Sequence, residues 1–222
     1  MGERARAFAH VDGNYASYVK IPIRAIVDDR SSLAATLRAC ARVARRLELA
    51  SARGNDVARG LSAECDAHIS LSKVFALRKG EIGAMEAALR AALRETRATE
   101  ATFDRARVFV NDSRTRAFVA LGFDERVDAD ACRGKRALVE MIARVNEACA
   151  SLGLPRYYED AEPHASLAWT DETDDDTLRA LEKVTSEARV SWTIDVRRIV
   201  LDVSGMPDKI VWAREALPPP AL

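Results

Sequence analysis

The pattern His-x-Ser-Leu occurs twice, as His68-Ile69-Ser70-Leu71 and again far downstream as His164-Ala165-Ser166-Leu167. The chain holds only three histidines, so two of the three sit in the repeated pattern. Ser-Leu follows a given histidine at that spacing by chance about once in a hundred times or less, so a double match argues against accident. Both segments are apolar or β-branched and bounded by turn-formers, which is the pattern of strands. On a strand, residues i and i+2 share a face. Each motif therefore presents an imidazole beside a hydroxyl, while Ile69 or Ala165 points away.

If two such strands meet across a cleft, the site holds two imidazoles and two hydroxyls. One imidazole can take a proton from a nucleophile and the other can return one to a leaving oxygen. Imidazole suits both tasks because its pKa of about 6.5 lies near working pH. The hydroxyls can bond the non-bridging oxygens of a phosphodiester. A lone histidine in an apolar strand is ordinarily a satisfied core residue; the repetition is what argues otherwise here. Neither a His-x-x-x-His nor a Cys-x-x-Cys occurs, and neither motif sets a carboxylate beside its histidine in the strand period. No metal and no cofactor are expected.

At 222 residues the chain is long enough for a substantial core, in one domain made of two closely packed lobes, each with one motif. The formal net charge is zero, so any RNA contact must come from a local patch. Cys40, Cys65, Cys132 and Cys149 are scattered without paired spacing. With no signal peptide in view, they point to reduced thiols in an intracellular protein. No apolar run reaches the length of a membrane span, and no Gly-rich phosphate loop is present.

Along the chain, Asp12-Gly13-Asn14 is a turn signal and Tyr15 to Ile23 reads as a strand. Ser31 and Ser32 can cap a helix to about Ala50, striped by Leu33, Leu37, Ala41, Ala44 and Leu47. Arg38, Arg42, Arg45 and Arg46 lie off that stripe and read as a solvated face, with a phosphate-backbone patch as the alternative. The first motif strand runs from about Asp66 to Leu77, and a helix from Glu81 to Arg97. Phe103, Val108 and Val110 mark a strand, Asn111 to Arg114 a hairpin turn, and Thr115 to Phe123 the returning strand. A helix spans Ala131 to Leu152, with Gly153 just past its end.

A loop from Pro155 to Asp160 leads into the second motif strand. Asp174, Asp175 and Asp176 suit the N-terminus of a short helix. Trp192 to about Val203 reads as one long strand. Ser204 to Asp208 turns the chain, Lys209 to Ala213 returns, and the Pro218-Pro219-Pro220 tail is expected to fray. The halves echo each other, so the expected fold class is α+β: a two-lobed, pseudo-twofold arrangement with antiparallel sheets lining a central cleft and helices outside.

With both motifs in hand, the chain resembles the two-histidine (2H) phosphoesterases, whose fold is LigT-like. Within them it resembles the U6 small nuclear RNA phosphodiesterase family. Phe8-Ala9-His10-Val11-Asp12-Gly13-Asn14-Tyr15 looks like that family's start, where Trp is more usual than Tyr15. His68 to Ser72 with Leu77-Arg78 is similar to its first motif. Asn111 with Thr115-Arg116-Ala117-Phe118 resembles its hairpin. Tyr158, Asp160 and His164 to Trp169 match its second motif and the approach to it, and Ser204-Gly205 fits its last hairpin.

The resemblance implies a metal-independent 3′–5′ exonuclease that trims the oligouridine end of U6 small nuclear RNA. The 2′-hydroxyl attacks the adjacent phosphorus and a 2′,3′-cyclic phosphate remains, which some members open to a 3′-phosphate. It further implies His68 as general base, His164 as general acid, Ser70 and Ser166 on the phosphate oxygens, and Tyr158 stacked on the terminal base. Asp112, Glu162 and Pro163 stand where the nucleotide is contacted; the family often has Gln at the first and an aromatic at the last. The motifs are symmetric, so the residues alone leave open which histidine is acid and which is base. By resemblance the protein acts on RNA in the nucleus; a monomer is expected, and the lack of a long apolar run predicts no membrane partner. Two alternatives are hydrolysis of a 2′,3′-cyclic phosphate on small or RNA-terminal substrates, and a non-catalytic module that binds RNA 3′ ends.

Overall fold

The structure is a computed structural model that describes residues 13–26, 32–49, 64–124, 134–157 and 159–214. The elements run β1 (Asn14–Ile26), α1 (Ser32–Val43), β2 (Glu48–Leu49), β3 (Glu64–Ser70), β4 (Phe75–Arg78), α2 (Ile82–Leu93), β5 (Thr99–Phe103), β6 (Arg105–Val110), β7 (Ala117–Gly122), α3 (Lys135–Ser151), β8 (Ala165–Thr170), α4 (Asp175–Glu187), β9 (Trp192–Val196), β10 (Arg198–Val203) and β11 (Lys209–Ala213). Among the described residues, nine strands form one sheet in the order β11-β10-β1-β3-β8-β7-β6, with β4 also on β1 and β2 also on β8. β5 and β9 form a separate antiparallel pair.

The two halves of the large sheet join where β3 meets β8, at the partners Ile69 and Ala165. Farther along β8, Ala168 and Trp169 pair with β2 instead. The motif strands are thus neighbours that touch and part, and the site lies along their junction. This is the expected α+β arrangement, with the motifs side by side in one sheet.

Helices cover the core face. α2 packs on α3 and β11, while α1 packs on α4, which lies against β6 and β7. Each presents apolar residues at helical spacing: Ile82, Met85, Leu89 and Leu93 in α2, and Leu138, Met141, Ile142, Val145, Ala148 and Cys149 in α3 are all buried. Burial of one such Leu stabilises by about 2 kcal/mol. The chain leaves α3 through Gly153 at φ 68°, and the Leu154 amide donates to the Cys149 carbonyl at 2.9 Å. Asp174 caps α4 by accepting from the Thr177 amide at 2.9 Å, and Asp175 and Asp176 fill its first turn. Those acids therefore complement the helix dipole, as read from the sequence.

Several element boundaries differ from the sequence-based expectation. The helix expected to reach Ala50 ends at Val43, because Leu47 and Leu49 alternate into the core with Glu48 between them. The first motif strand breaks after Ser70, and β4 resumes along the other end of β1. In the break the buried Ser72 hydroxyl accepts the Val19 amide at 2.8 Å, standing in for a strand acceptor. The strand expected through Phe103 to Val110 divides at Asp104, and the one from Trp192 to Val203 divides at Arg197. In both, the chain passes from the small β5–β9 sheet to the large one. Pro22 is tolerated in β1 because the pairing with β10 has ended at Lys20, so the missing N–H leaves no gap in that ladder.

Candidate active site

β3 and β8 position the repeated motifs. Ile69 and Ala165 are Cα partners and both are fully buried. Continuing that antiparallel register one residue each way sets His68 across from Ser166 and Ser70 across from His164. All four side chains lie on the opposite, partly exposed face. The imidazoles thus occupy one diagonal of a small rectangle and the hydroxyls the other.

Each histidine has its own aromatic neighbour and its own ion pair. On the His68 side, the Tyr18 ring lies 5.6 Å away, tilted by 53°. Lys20, the Cα partner of Ser70 on β1, is ion-paired to Asp202 and lies 3.7 Å from Asp208. On the His164 side, Phe109 stacks on the imidazole with ring centroids 4.0 Å apart. Arg107 pairs with Glu162 at 3.2 Å. Arg107 is the Cα partner of Ala120 on β7, and its Cδ lies 3.5 Å from where a Cβ on Gly122 would sit, so these small residues seat the Arg107 stem.

These surroundings separate the two imidazoles electrostatically. Burial pulls His68 down to about 4; the Lys20 ammonium and His164 act in the same direction, and Asp202 opposes them. His68 is therefore neutral at pH 7 and can accept a proton. Burial also lowers His164, assisted by Arg107, but the Glu162 carbonyl opposes it through a 2.8 Å bond to Nδ1. A carbonyl oxygen only accepts, so Nδ1 carries the proton and Nε2 is left for chemistry. The pair can run proton transfer in both directions across a phosphate held between them.

Of the other residues singled out from the sequence, Glu162 accepts from His164 Nδ1 through its carbonyl, and its carboxylate pairs with Arg107. Pro163 lines a small pocket beside His164 with Arg107, Phe109, Gly122, Phe123, Lys135 and Glu162. Asp112 is exposed at the tip of the β6–β7 hairpin, with its carboxylate 3.7 Å from the Lys73 ammonium just beyond the first motif. The hairpin is tied by Asn111, whose Oδ1 accepts the Thr115 and Arg116 amides at 2.9 and 3.0 Å. Tyr158 lies outside the described residues; the Tyr157 amide next to it donates to Asn146 Oδ1 at 2.7 Å.

Sequence reasoning missed Tyr18, Lys20, Asp202, Arg107 and Phe109. The i, i+2 spacing of Tyr18 with Lys20 and of Arg107 with Phe109 was visible. Which strands they would lie beside was not. Among the described residues, no group of three or more His, Cys, Asp or Glu side chains is placed to hold a metal ion. Among the same residues, no helix is long and apolar enough to cross a membrane.

The chain is 24% identical over 185 residues to U6 snRNA phosphodiesterase 1 of Dictyostelium discoideum, covering 79% of this chain and 60% of that protein. It is 28% identical over 168 residues to the Drosophila melanogaster protein of the same name, covering 76% and 57%. The chain therefore spans about 60% of the length of these curated relatives. Kluyveromyces marxianus Usb1 superposes with a TM-score of 0.61 at 14% identity, over 89% of this chain and 97% of that one. Escherichia coli LigT complexed with 3′-AMP superposes with a TM-score of 0.51 at 15% identity, over 88% and 91%. The fold is that of the LigT-like 2H phosphoesterases. The family model HVSL, described as an uncharacterised conserved protein, matches residues 1–206, and the chain belongs to the HVSL family.

Proposed function

We propose that this chain is a metal-independent 3′–5′ RNA exonuclease that trims the uridine-rich 3′ end of U6 small nuclear RNA. The observation that carries the reading is the diagonal placement of two histidines and two serines about one junction, with His68 held neutral. The name shared by the curated relatives supports the substrate.

In the reaction, His68 takes the proton of the penultimate 2′-hydroxyl, and the oxygen attacks the adjacent phosphorus. The bond from phosphorus to the 5′-oxygen of the last nucleotide breaks, and Nε2 of His164 delivers its proton to that oxygen. A nucleoside leaves and a 2′,3′-cyclic phosphate remains on the shortened RNA. Ser70 and Ser166 hold the non-bridging oxygens as charge builds on them. Tyr158 stacks on the leaving base, while Glu162 and Pro163 border its pocket. Asp112, balanced by Lys73, sits at the rim as a hydrogen-bond acceptor for the nucleotide. On this reading the chain is a single domain of two lobes that acts as a monomer, and a role in U6 processing implies the nucleus.

The test is incubation of the full chain with an oligouridine-tailed RNA in EDTA, beside His68→Ala, His164→Ala and a tail with a 2′-deoxy penultimate sugar. Stepwise shortening to a cyclic end, abolished in all three controls, is expected. Shortening that survives the deoxy sugar means that water is the nucleophile and overturns the mechanism. Opening of a preformed cyclic phosphate without any shortening assigns the chain to cyclic phosphodiester hydrolysis instead.

A further inference from the structure

Phe109, Phe118 and Trp169 are successive Cα partners across β6, β7 and β8. All three are only partly buried. Their strand neighbours Val119, Leu167 and Ala168 are in the core, so the three rings lie on the other face. Ser166 and Trp169, three residues apart, share that face because the β7–β8 register shifts between Val119 and Ala120. The row is thus continuous with the catalytic face. Phe109 is taken up by His164. Phe118 and Trp169 have no part in the chemistry, yet the Arg116 guanidinium lies 4.7 Å from the centre of the Trp169 ring. Glu48, the Cα partner of Trp169 on β2, is on the side of Trp169 away from Phe118.

We propose that Phe118, Trp169 and Arg116 form a stacking platform for the RNA nucleotides on the 5′ side of the scissile phosphate. This rests on the proposed reaction, which fixes the direction of the strand. The leaving nucleotide lies toward His164, the acid. The retained strand lies toward His68 and Ser166, and Trp169 is three residues beyond Ser166, about 10 Å at strand rise. That is one to two nucleotides upstream. Rings on a sheet face offer every base a π surface, and a guanidinium lying over one of them adds charge for the backbone. The chemistry selects single-stranded RNA, because a duplex buries the base faces that the rings would meet.

The test uses the full chain with Phe118→Leu, Trp169→Leu and Arg116→Gln. Leucine keeps apolar bulk and removes the π face. The ratio of kcat/KM on octauridine to that on the uridine dinucleotide is measured, together with anisotropy of a labelled 2′-deoxy octamer that cannot be cleaved. Wild type is expected to favour the octamer, and each leucine variant to lose about fivefold or more of both that ratio and the octamer affinity. Arg116→Gln, which leaves both rings in place, is expected to bind the octamer more weakly with a shallower salt dependence. Wild type without a length preference overturns the platform, as do melting-competent leucine variants that keep the wild-type ratio and affinity. If a leucine variant fails to fold, an unchanged octamer affinity and salt slope in Arg116→Gln overturns it. If wild type cleaves neither RNA but octamer binding still depends on the rings, the platform stands and the proposed reaction falls.

Discussion

Phe109 lies nearly parallel on the imidazole of His164, with ring centroids 4.0 Å apart and planes 15° from coplanar. An aromatic face favours a cation above it, commonly by about 0.5–1 kcal/mol at partly exposed sites. Phe109 therefore favours the protonated His164, against the burial and the Arg107 charge that lower it. Phe109→Leu is expected to move the falling limb of the pH profile of kcat/KM to lower pH, by less than about one unit. The rising limb should stay in place. A profile with both limbs unmoved would show that the stacking is packing alone.

The two histidines together set that profile. His68 must be neutral, so activity rises as pH passes about 4. His164 must be protonated, so activity falls above a value that lies below the ordinary 6.5. The free chain should therefore show a bell for kcat/KM on the acidic side of neutrality. Bound phosphate favours both charged forms, so the limbs of kcat are expected at higher pH. A kcat/KM profile that is still rising at pH 8 would show that no protonated imidazole is needed and would overturn His164 as the acid.

His68 also couples pH to stability. Its folded pKa of about 4 is below the unfolded value of 6.5, so the unfolded chain binds more protons between the two. Stability due to this group is complete above about 6.5 and is lost as pH falls to about 4, by about 3 kcal/mol in all. Denaturant melts of wild type and His68→Gln at pH 7 and pH 4.5 check this. The variant is expected to lose clearly less stability on acidification.

Much of the site was legible because a strand's period of two converts His-x-Ser directly into a shared face. The ring and ion-pair neighbours were not legible, because they arrive from β1, β6 and β10, and a sequence does not display strand register. The bulge at Val119 and Ala120 has the same character. Without it, Trp169 would read as a core residue at odd spacing from Ser166. β2 was hidden for another reason: Leu47 continues the helical stripe of α1 as well as it starts an alternation with Leu49. The helices α2 and α3 were clear from their stripes, and only their ends moved.

Gly134 stands before α3 at φ 88° with its backbone against β5. A Cβ there would fall on the Glu100 carbonyl oxygen and the Ala101 Cα, both of them backbone atoms that cannot swing aside. Gly134→Ala adds left-handed strain of about 1–2 kcal/mol to that clash. The variant is expected to lose at least about 2 kcal/mol in denaturant melts. Gly80→Ala, with open space around the same position, should lose far less.

Lys20 is 15% exposed and is held by Asp202 and Asp208 beside His68. Lys20→Met removes the cation and leaves the Asp202 charge unopposed at the imidazole. The Lys20 charge lowers His68 and the Asp202 charge raises it, so the substitution moves His68 upward on both counts. The rising limb of kcat/KM should shift to higher pH, and activity at pH 5 should fall by about tenfold if the shift exceeds one unit beyond that pH. Activity near neutrality should fall less. Unpairing a partly buried carboxylate also costs stability, about 2 kcal/mol. Lys20→Met with Asp202→Asn removes both charges, and is expected to return the limb toward its original position and recover part of that stability. A limb that stays shifted in the double variant would show that Lys20 acts on His68 through packing and not through charge.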